Sequence, residues 1–281
     1  MRPPRPHCPN AACEHHRTPE AGFYAKDGYR PVAHGKPIPR YKCRSCGTRF
    51  CSTSSSTRHR QHRPDLNRRI FELAVSGVSM TRIARLLECS PETVERKIRL
   101  LAIQAKQQHA HELFHRPSNL LAMDELETFI HARWRQVSVP VVICARTKRI
   151  LGFGIAAKPS NMKIGVRMGW TKDDRSKVLR AVLEGMRVGV DMPALIQTDQ
   201  ATYYAQAIRE ALPGVKHKAS KTPKGDKTAH NPLFAIDHLF AKLRNDLARL
   251  GRKTWITTKT PAALERHLWL YVAWTNGYRL I

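Results

Sequence analysis

The sequence predicts a multidomain α+β chain in three parts: a small metal-held module at the N-terminus, a helical domain, and a larger C-terminal α/β domain. Three observations predict it. Two close-spaced cysteine pairs open the chain, a helical period takes over at Asp65, and after Pro117 apolar strands alternate with helices. Charge points to the partner. Lys and Arg number 49 against 22 Asp and Glu, a formal net charge of +27. Such an excess destabilises a compact chain by self-repulsion, and a polyanion relieves it. Binding phosphates also releases condensed counterions, which gives sequence-independent affinity for nucleic acid. The excess runs through residues 1–118 (22 basic, 9 acidic) and residues 119–281 (27 and 13), so both halves are expected to touch the polymer. An apolar fraction of 42% argues against disorder throughout. No stretch approaches the roughly 18 apolar residues of a membrane span, and residues 1–10 lack the apolar core of a secretory signal. The expectation is a cytosolic protein with reduced cysteines and no membrane partner.

Residues 1–52 carry the cysteine pairs Cys8-Pro-Asn-Ala-Ala-Cys13 and Cys43-Arg-Ser-Cys46-Gly. Each pair closes a tight knuckle that offers two thiolates to one ion, and four thiolates make a closed tetrahedral Zn²⁺ site of the structural type. Gly47 suits a turn with positive φ, and Tyr41-Lys42-Cys43 and Arg49-Phe50 read as short strands around it. The expected fold is a zinc ribbon that depends on its metal. The four-residue gap in the first pair is wide, which leaves His7, His15 and His16 as alternative ligands; Cys51 reads as a small buried residue. Residues 53–64, polar and rich in Ser, Thr and Arg, read as a basic linker.

Residues 65–118 form the helical domain. Ile70, Leu73 and Ala74 share one helix face, and Ser76-Gly77 ends that helix with glycine as its C-cap. A second short helix has Ile83, Ala84, Leu86 and Leu87 inward. Ser90-Pro91-Glu92-Thr93 then starts a third, with Ser as N-cap and Pro at the first helical position. A short turn before a capped, basic third helix predicts a helix-turn-helix. Its third helix would enter the major groove, with Glu92, Thr93, Arg96 and Lys97 as the DNA-binding candidates. Residues 102–118 read as a helical extension.

Residues 119–281 run strand (120–129), strand (137–144), strand (150–156), helix (174–186), strand (194–199), helix (203–212), a short strand near Val215, and a long helix from Phe234. That order predicts an α/β ribonuclease H-like domain. Asp124 sits mid-strand in a run of Leu and Met, an expensive place for a carboxylate without a compensating cation. Asp199 ends a strand at the carboxyl edge, where sites in open sheets form. Paired carboxylates there suit in-line phosphoryl transfer with two divalent ions, and oxygen ligands favour Mg²⁺ or Mn²⁺. Strand parity puts Glu125 and Glu127 on the opposite sheet face from Asp124. Residues 221–231 read as a mobile loop near the active edge, and Trp255, Trp269 and Trp274 as core or dimer contacts.

Tyr41-Lys42-Cys43-Arg44-Ser45-Cys46-Gly47, Met123-Asp124-Glu125, Thr198-Asp199 and the run from Leu243 to Lys253 carry a resemblance over nearly the whole chain. The chain resembles bacterial insertion-sequence transposases of the DDE class, and within it the family named after the first insertion sequence. The resemblance implies cleavage at element ends, strand transfer into target DNA, Mg²⁺ as cofactor and a bacterial, nucleoid-associated location. It also implies double-stranded DNA (element ends and target) as partner and a homodimer or larger assembly. The family has a glutamate before the last motif, and this chain has Asp237, one methylene shorter, in Ile236-Asp237-His238. Asp246 is the rival third ligand. Nine residues on, it lies about 180° around the helix, so the two cannot serve one metal together. Lys242, Arg244, Arg249, Arg252 and Lys253 are the candidates to line a DNA channel. The expected function is a DNA transposase. The alternatives are a transposase-derived DNA-binding regulator with an impaired catalytic site, motivated by Asp237, and a ribonuclease H-like nuclease that cuts without joining.

Overall fold

A computed structural model of the chain describes residues 7–31, 37–51, 54, 61–221, 231–251 and 255–280. It is a mixed α/β structure that divides into two compact units, residues 1–64 and residues 65–281.

The first unit is a three-stranded antiparallel sheet, β1 (Tyr24–Arg30), β2 (Ile38–Cys43) and β3 (Arg49–Cys51), preceded by a 3-10 turn at Glu14–His16. The turn between β2 and β3 needs Gly47, which sits at φ 70° and donates its amide to the Cys43 carbonyl at 3.0 Å. Apolar burial is slight. Phe23 and Phe50 stack 5.9 Å apart, Tyr24 and Tyr41 close over them, and the remaining buried positions are mainly cysteines. So small a core stabilises little by itself. Cys51 is buried, as expected of it, 3.3 Å from the Ser54 hydroxyl.

In the second unit, helices α1 (Leu66–Ala74), α2 (Met80–Leu86) and α3 (Pro91–His115) pack around Leu66, Ile70, Ile83, Ala84, Val94, Ile98 and Leu101. Ser90 caps α3 by accepting the Thr93 amide, with Pro91 at the first helical position. The segment expected as an extension is part of α3, one unbroken helix of 25 residues. Its second half has left the three-helix core: Ala105 and Leu113 are buried against the sheet domain.

The larger sheet has the spatial order β6 (Ile150–Phe153), β5 (Gln136–Cys144), β4 (Ser118–Phe129), β8 (Val190–Thr198), β9 (Lys216–Ala219), with the two-residue β7 (Ala156–Ala157) also on β5. Strands β4, β5 and β6 pair antiparallel; β4, β8 and β9 pair parallel. The expected third strand breaks at Gly154 into β6 and β7. A Cβ there would stand 2.5 Å from Val178 of α5 (Arg175–Met186), so the helix lies directly on the backbone. The short α4 (Lys163–Arg167) precedes α5.

Strand parity sorts the core into two layers. Leu121 and Met123 face α5 and α6 (Tyr204–Ala211), with Leu179, Leu183 and Tyr204. Ala122 and Leu126 face α7 (Phe234–Asp246) and α8 (Pro261–Asn276), with Ile236, Leu239, Phe240 and Tyr271. Helix α8, which the sequence pattern did not single out, also supplies Leu270 to the core of α1–α3. Helix α7 meets the same helices at its end: the Gly77 amide donates to the Asp246 carbonyl at 2.6 Å. The boundary expected at residue 118 is therefore no gap in the packing, and residues 65–281 form one body.

Candidate metal centre and acidic site

In the first unit the sulfurs of Cys8, Cys13, Cys43 and Cys46 all lie within 4.8 Å of one another. Cys8 and Cys46 are 3.5 Å apart, and Cys13 and Cys43 3.8 Å. A tetrahedral ion with bonds of about 2.3 Å sets its sulfurs about 3.8 Å apart, so the four cysteines are close enough to bind a metal such as zinc. Both knuckles are built by the backbone: Cys13 donates to the Asn10 carbonyl and Gly47 to that of Cys43, each at 3.0 Å. Burial pushes the Cys8 thiol up to about 12 and raises that of Cys13. Bonds from the Thr48 side chain and backbone hold Cys46 down to about 6. Such a mixed set gives up protons when it takes a cation. The histidines left open as ligands are engaged elsewhere. His15 Nε2 is 2.8 Å from the Ser45 hydroxyl, and His16 Nδ1 is 2.7 Å from the Cys8 carbonyl, with His7 edge-on to the His16 ring.

The acidic site follows from strand register. In the parallel β4–β8 ladder Leu120 faces Leu195, Leu121 faces Ile196 and Ala122 faces Gln197. Two residues further along each chain stand Asp124, in β4, and Asp199, the first residue past the end of β8; continuing the same register sets them about 4.8 Å apart on the α7 side of the sheet. The Asp124 carboxyl is pushed up to about 7, first by burial and then by the charges of Asp199, Asp237 and Glu125; the Glu125 amide, donating to Oδ1 at 2.7 Å, acts the other way. Asp199 accepts the Ala201 amide at 3.1 Å, which fixes the turn after β8. Asp237, in the first turn of α7, accepts from Asn231 Nδ2 at 3.1 Å, and burial raises its carboxyl. Asp124 thus feels the charges of both Asp199 and Asp237. The three do not close as the cysteines do: among the described residues, only the cysteine cluster has three or more ligand atoms drawn together for one ion.

Asp246 belongs elsewhere. Its Oδ2 accepts the Tyr271 hydroxyl at 3.1 Å, on the side of α7 that meets α8. Glu125 and Glu127 take other partners too. Glu125 accepts from the Ser138 and Tyr203 hydroxyls, Glu127 pairs with Lys158, and the Arg175 guanidinium lies 5.5 Å over the Tyr203 ring. This Glu125–Tyr203–Arg175 group had no sequence signal beyond the parity of Glu125. Its partners come from β5, the end of the turn before α6 and the start of α5, distant in the chain.

The DNA-binding candidates divide. Glu92 and Arg96 are exposed on the first turns of α3, and Thr93 is half-buried beside the Ser90 cap. Lys97 is only 5% exposed and is not offered to solvent. Its position lies between Val94, Ile98 and Leu101, the face that builds the helical core. Lys242 is exposed and Arg244 half-buried on α7; Arg252 and Lys253 lie outside the described residues, as does most of the loop expected at 221–231. Arg249 is turned inward, donating to the carbonyls of Ile256 and Thr257. Of the tryptophans, Trp269 packs on Phe153 and His109, whereas Trp255 and Trp274 are exposed.

No protein-family model matches the chain, and a search of curated proteins returns no match. No helix among the described residues is long and apolar enough to cross a membrane.

Proposed function

We propose that this chain is a metal-dependent phosphoryl transferase acting on DNA, a transposase of the DDE class. The observation that carries the reading is the raised Asp124 carboxyl, whose burial is joined by the charges of Asp199, at the end of β8, and Asp237, on α7. The sheet order, three antiparallel strands followed by two parallel ones, supports a ribonuclease H-like core. The four-cysteine cluster supports a zinc ribbon, and the capped α3 with exposed Glu92 and Arg96 supports a helix-turn-helix that reads element ends. The charge of +27 supports double-stranded DNA as partner.

The acidic residues fit a hard divalent cation. They offer oxygen donors, and burial followed by the charges of Asp199 and Asp237 lifts the Asp124 carboxyl, a cost that a bound cation would relieve. Asp124, Asp199 and Asp237 would hold Mg²⁺ or Mn²⁺. When bound, such ions activate the attacking oxygen and stabilise the leaving one in an in-line displacement. The chain's own share is positional: β4 fixes Asp124, the turn after β8 with the Ala201 amide holds Asp199, Asn231 restrains Asp237, and the exposed cations of α3 and α7 hold phosphates.

A second reading has its own observation. The three aspartates do not close around one point, and Asp237 is a short side chain where the resembling family has Glu. That favours a transposase-derived DNA-binding regulator with an impaired site. Incubation with Mg²⁺ or Mn²⁺, element-end DNA and a target plasmid separates the readings. Strand-transfer products that vanish in Asp124→Ala and Asp199→Ala support the transposase. Cutting without joining supports a nuclease, and binding alone, unchanged by both substitutions, supports the regulator.

A further inference from the structure

The turn between β5 and β6, at the Leu120 end of β4, meets the first turns of α7, the helix that also carries Asp237. Lys148, at φ 59° in that turn, places Nζ 3.3 Å from His238 Nδ1 and 5.8 Å from the centre of the Phe234 ring. Phe234 and His238, one helical turn apart, lie with centroids 5.9 Å apart and planes 15° from parallel. Lys242 follows one turn later on the same helix face, and Arg146 shares the turn with Lys148. Among the described residues, none of these three cations forms an ion pair.

Hydrogen-bond chemistry orients the histidine. An ammonium only donates, so His238 Nδ1 accepts from Lys148 and the ring hydrogen sits on Nε2. That N–H is a donor with no partner among the described residues. Asp237 is no counter-charge for the group: it is about 100° around the helix from His238 and is bonded to Asn231. An i, i+4 ring pair on a helix contributes only about 0.2–0.5 kcal/mol. That benefit does not account for an unneutralised lysine that bonds His238 Nδ1 and lies over the Phe234 ring.

Two half-exposed ring faces, flanked by cations and one outward N–H, match a nucleotide whose base is unstacked. Stacking on aromatic side chains needs a free base face, which a duplex hides, and the cations need phosphate. We propose that Phe234, His238, Lys148 and Lys242 form a subsite for a single-stranded DNA segment: the rings carry an unpaired base, and the cations with His238 Nε2–H hold the adjoining phosphodiester. The subsite rests on the reading of the neighbouring aspartates as a DNA-processing site. It adds that the DNA held along α7 is unpaired.

The test uses the full-length protein and measures anisotropy of a short labelled oligothymidine and of a duplex of equal length across a salt titration. Phe234→Leu is expected to weaken single-strand binding about 10-fold and leave duplex binding unchanged; Phe234→Trp, which keeps a stacking surface, is expected to retain it. Lys148→Gln and Lys242→Gln are each expected to reduce the single-strand salt slope by about 0.7. Equal losses on single strand and duplex, or unchanged single-strand slopes, overturn the subsite. Binding is read without divalent cation, so no strand transfer takes place during the measurement and the subsite stands or falls independently of whether strand transfer is observed.

Discussion

The cysteine cluster and the aspartate site gather similar numbers of ligands and reach different degrees of closure. Four sulfurs lie within 4.8 Å of one another, whereas the aspartates meet only as the charges of Asp199 and Asp237 reach Asp124. The cause lies in how each is assembled. Each cysteine pair is closed by its own knuckle of backbone bonds, and with Cys8 and Cys13 raised by burial only Cys46 tends to carry charge there, so the sulfurs crowd together with little repulsion. Asp124, Asp199 and Asp237 come from two strands and a helix fixed by an independent hydrophobic core, and carboxylates brought together repel unless protonated or paired with a cation. One site is shaped like its ion; the other is shaped like a surface that awaits charge.

The largest effect should come from breaking the closed site. Cys43→Ser removes one ligand of four from a unit with little apolar core, and structural zinc contributes on the order of 10 kcal/mol to folding such modules. Zinc content should fall below one ion per chain, and residues 7–51 should lose dispersed amide signals, while residues 65–281 keep their thermal transition. Retention of a folded first unit without metal would break the comparison, since the knuckles would then suffice alone.

Next in size is the third carboxylate. Asp237→Ala should reduce strand transfer about 100-fold, a transition-state loss of about 2.7 kcal/mol. Asp237→Glu, reaching about 1–1.5 Å further, should stay within about 10-fold of the parent. Asp246→Ala should leave strand transfer in place and lower the Tm, because it removes the acceptor for Tyr271 at the α7–α8 contact. Reversed roles for the two aspartates in the transfer assay would sink the assignment.

A smaller effect tests the open site's charge. In metal-free protein the folded Asp124 carboxyl is held near 7, above its ordinary value of 3.8. Between those values the folded state binds the extra proton, so this group's contribution to stability is present at low pH and is lost as pH rises through 7. Asp124→Asn should therefore raise the Tm at pH 8 by a few degrees, with the gain shrinking toward pH 5. Each kcal/mol corresponds to about 2–4 °C in a body of this size. An equal gain at both pH values would place its origin outside this titration.

Much of this was legible in the sequence, for unequal reasons. Cysteine spacing is local, so two knuckles could be read directly, although only the structure showed that His15 and His16 are spent on Ser45 and the Cys8 carbonyl. Asp124 stood out because a carboxylate in a Leu and Met run is costly, and its alternation with Glu125 gave the sheet face. The partners of Glu125 were invisible, because Tyr203 and Ser138 are brought to it by strand register and by the turn before α6. Helix α8 was missed as well. It is apolar on several sides, packing against both the sheet and α1–α3, so it lacks the single stripe that marks a surface helix. The same dual packing makes the helical region and the sheet domain one body where the sequence suggests two.

The smallest effect separates neighbours on α3. A basic helix start invites reading both Arg96 and Lys97 as phosphate contacts, yet adjacent residues on a helix point about 100° apart. Arg96 is exposed, and Lys97 shares a face with Val94, Ile98 and Leu101, where its long apolar stem covers core. Arg96→Ala should leave the Tm unchanged and reduce the duplex salt slope by about 0.9, one phosphate's worth. Lys97→Ala should do the reverse, lowering the Tm by a few degrees with the slope intact. A shared loss of slope would mean that α3 rotates or its first turns reopen on DNA, bringing Lys97 out. Distinct outcomes would narrow the DNA-facing surface of α3 to Glu92, Thr93 and Arg96.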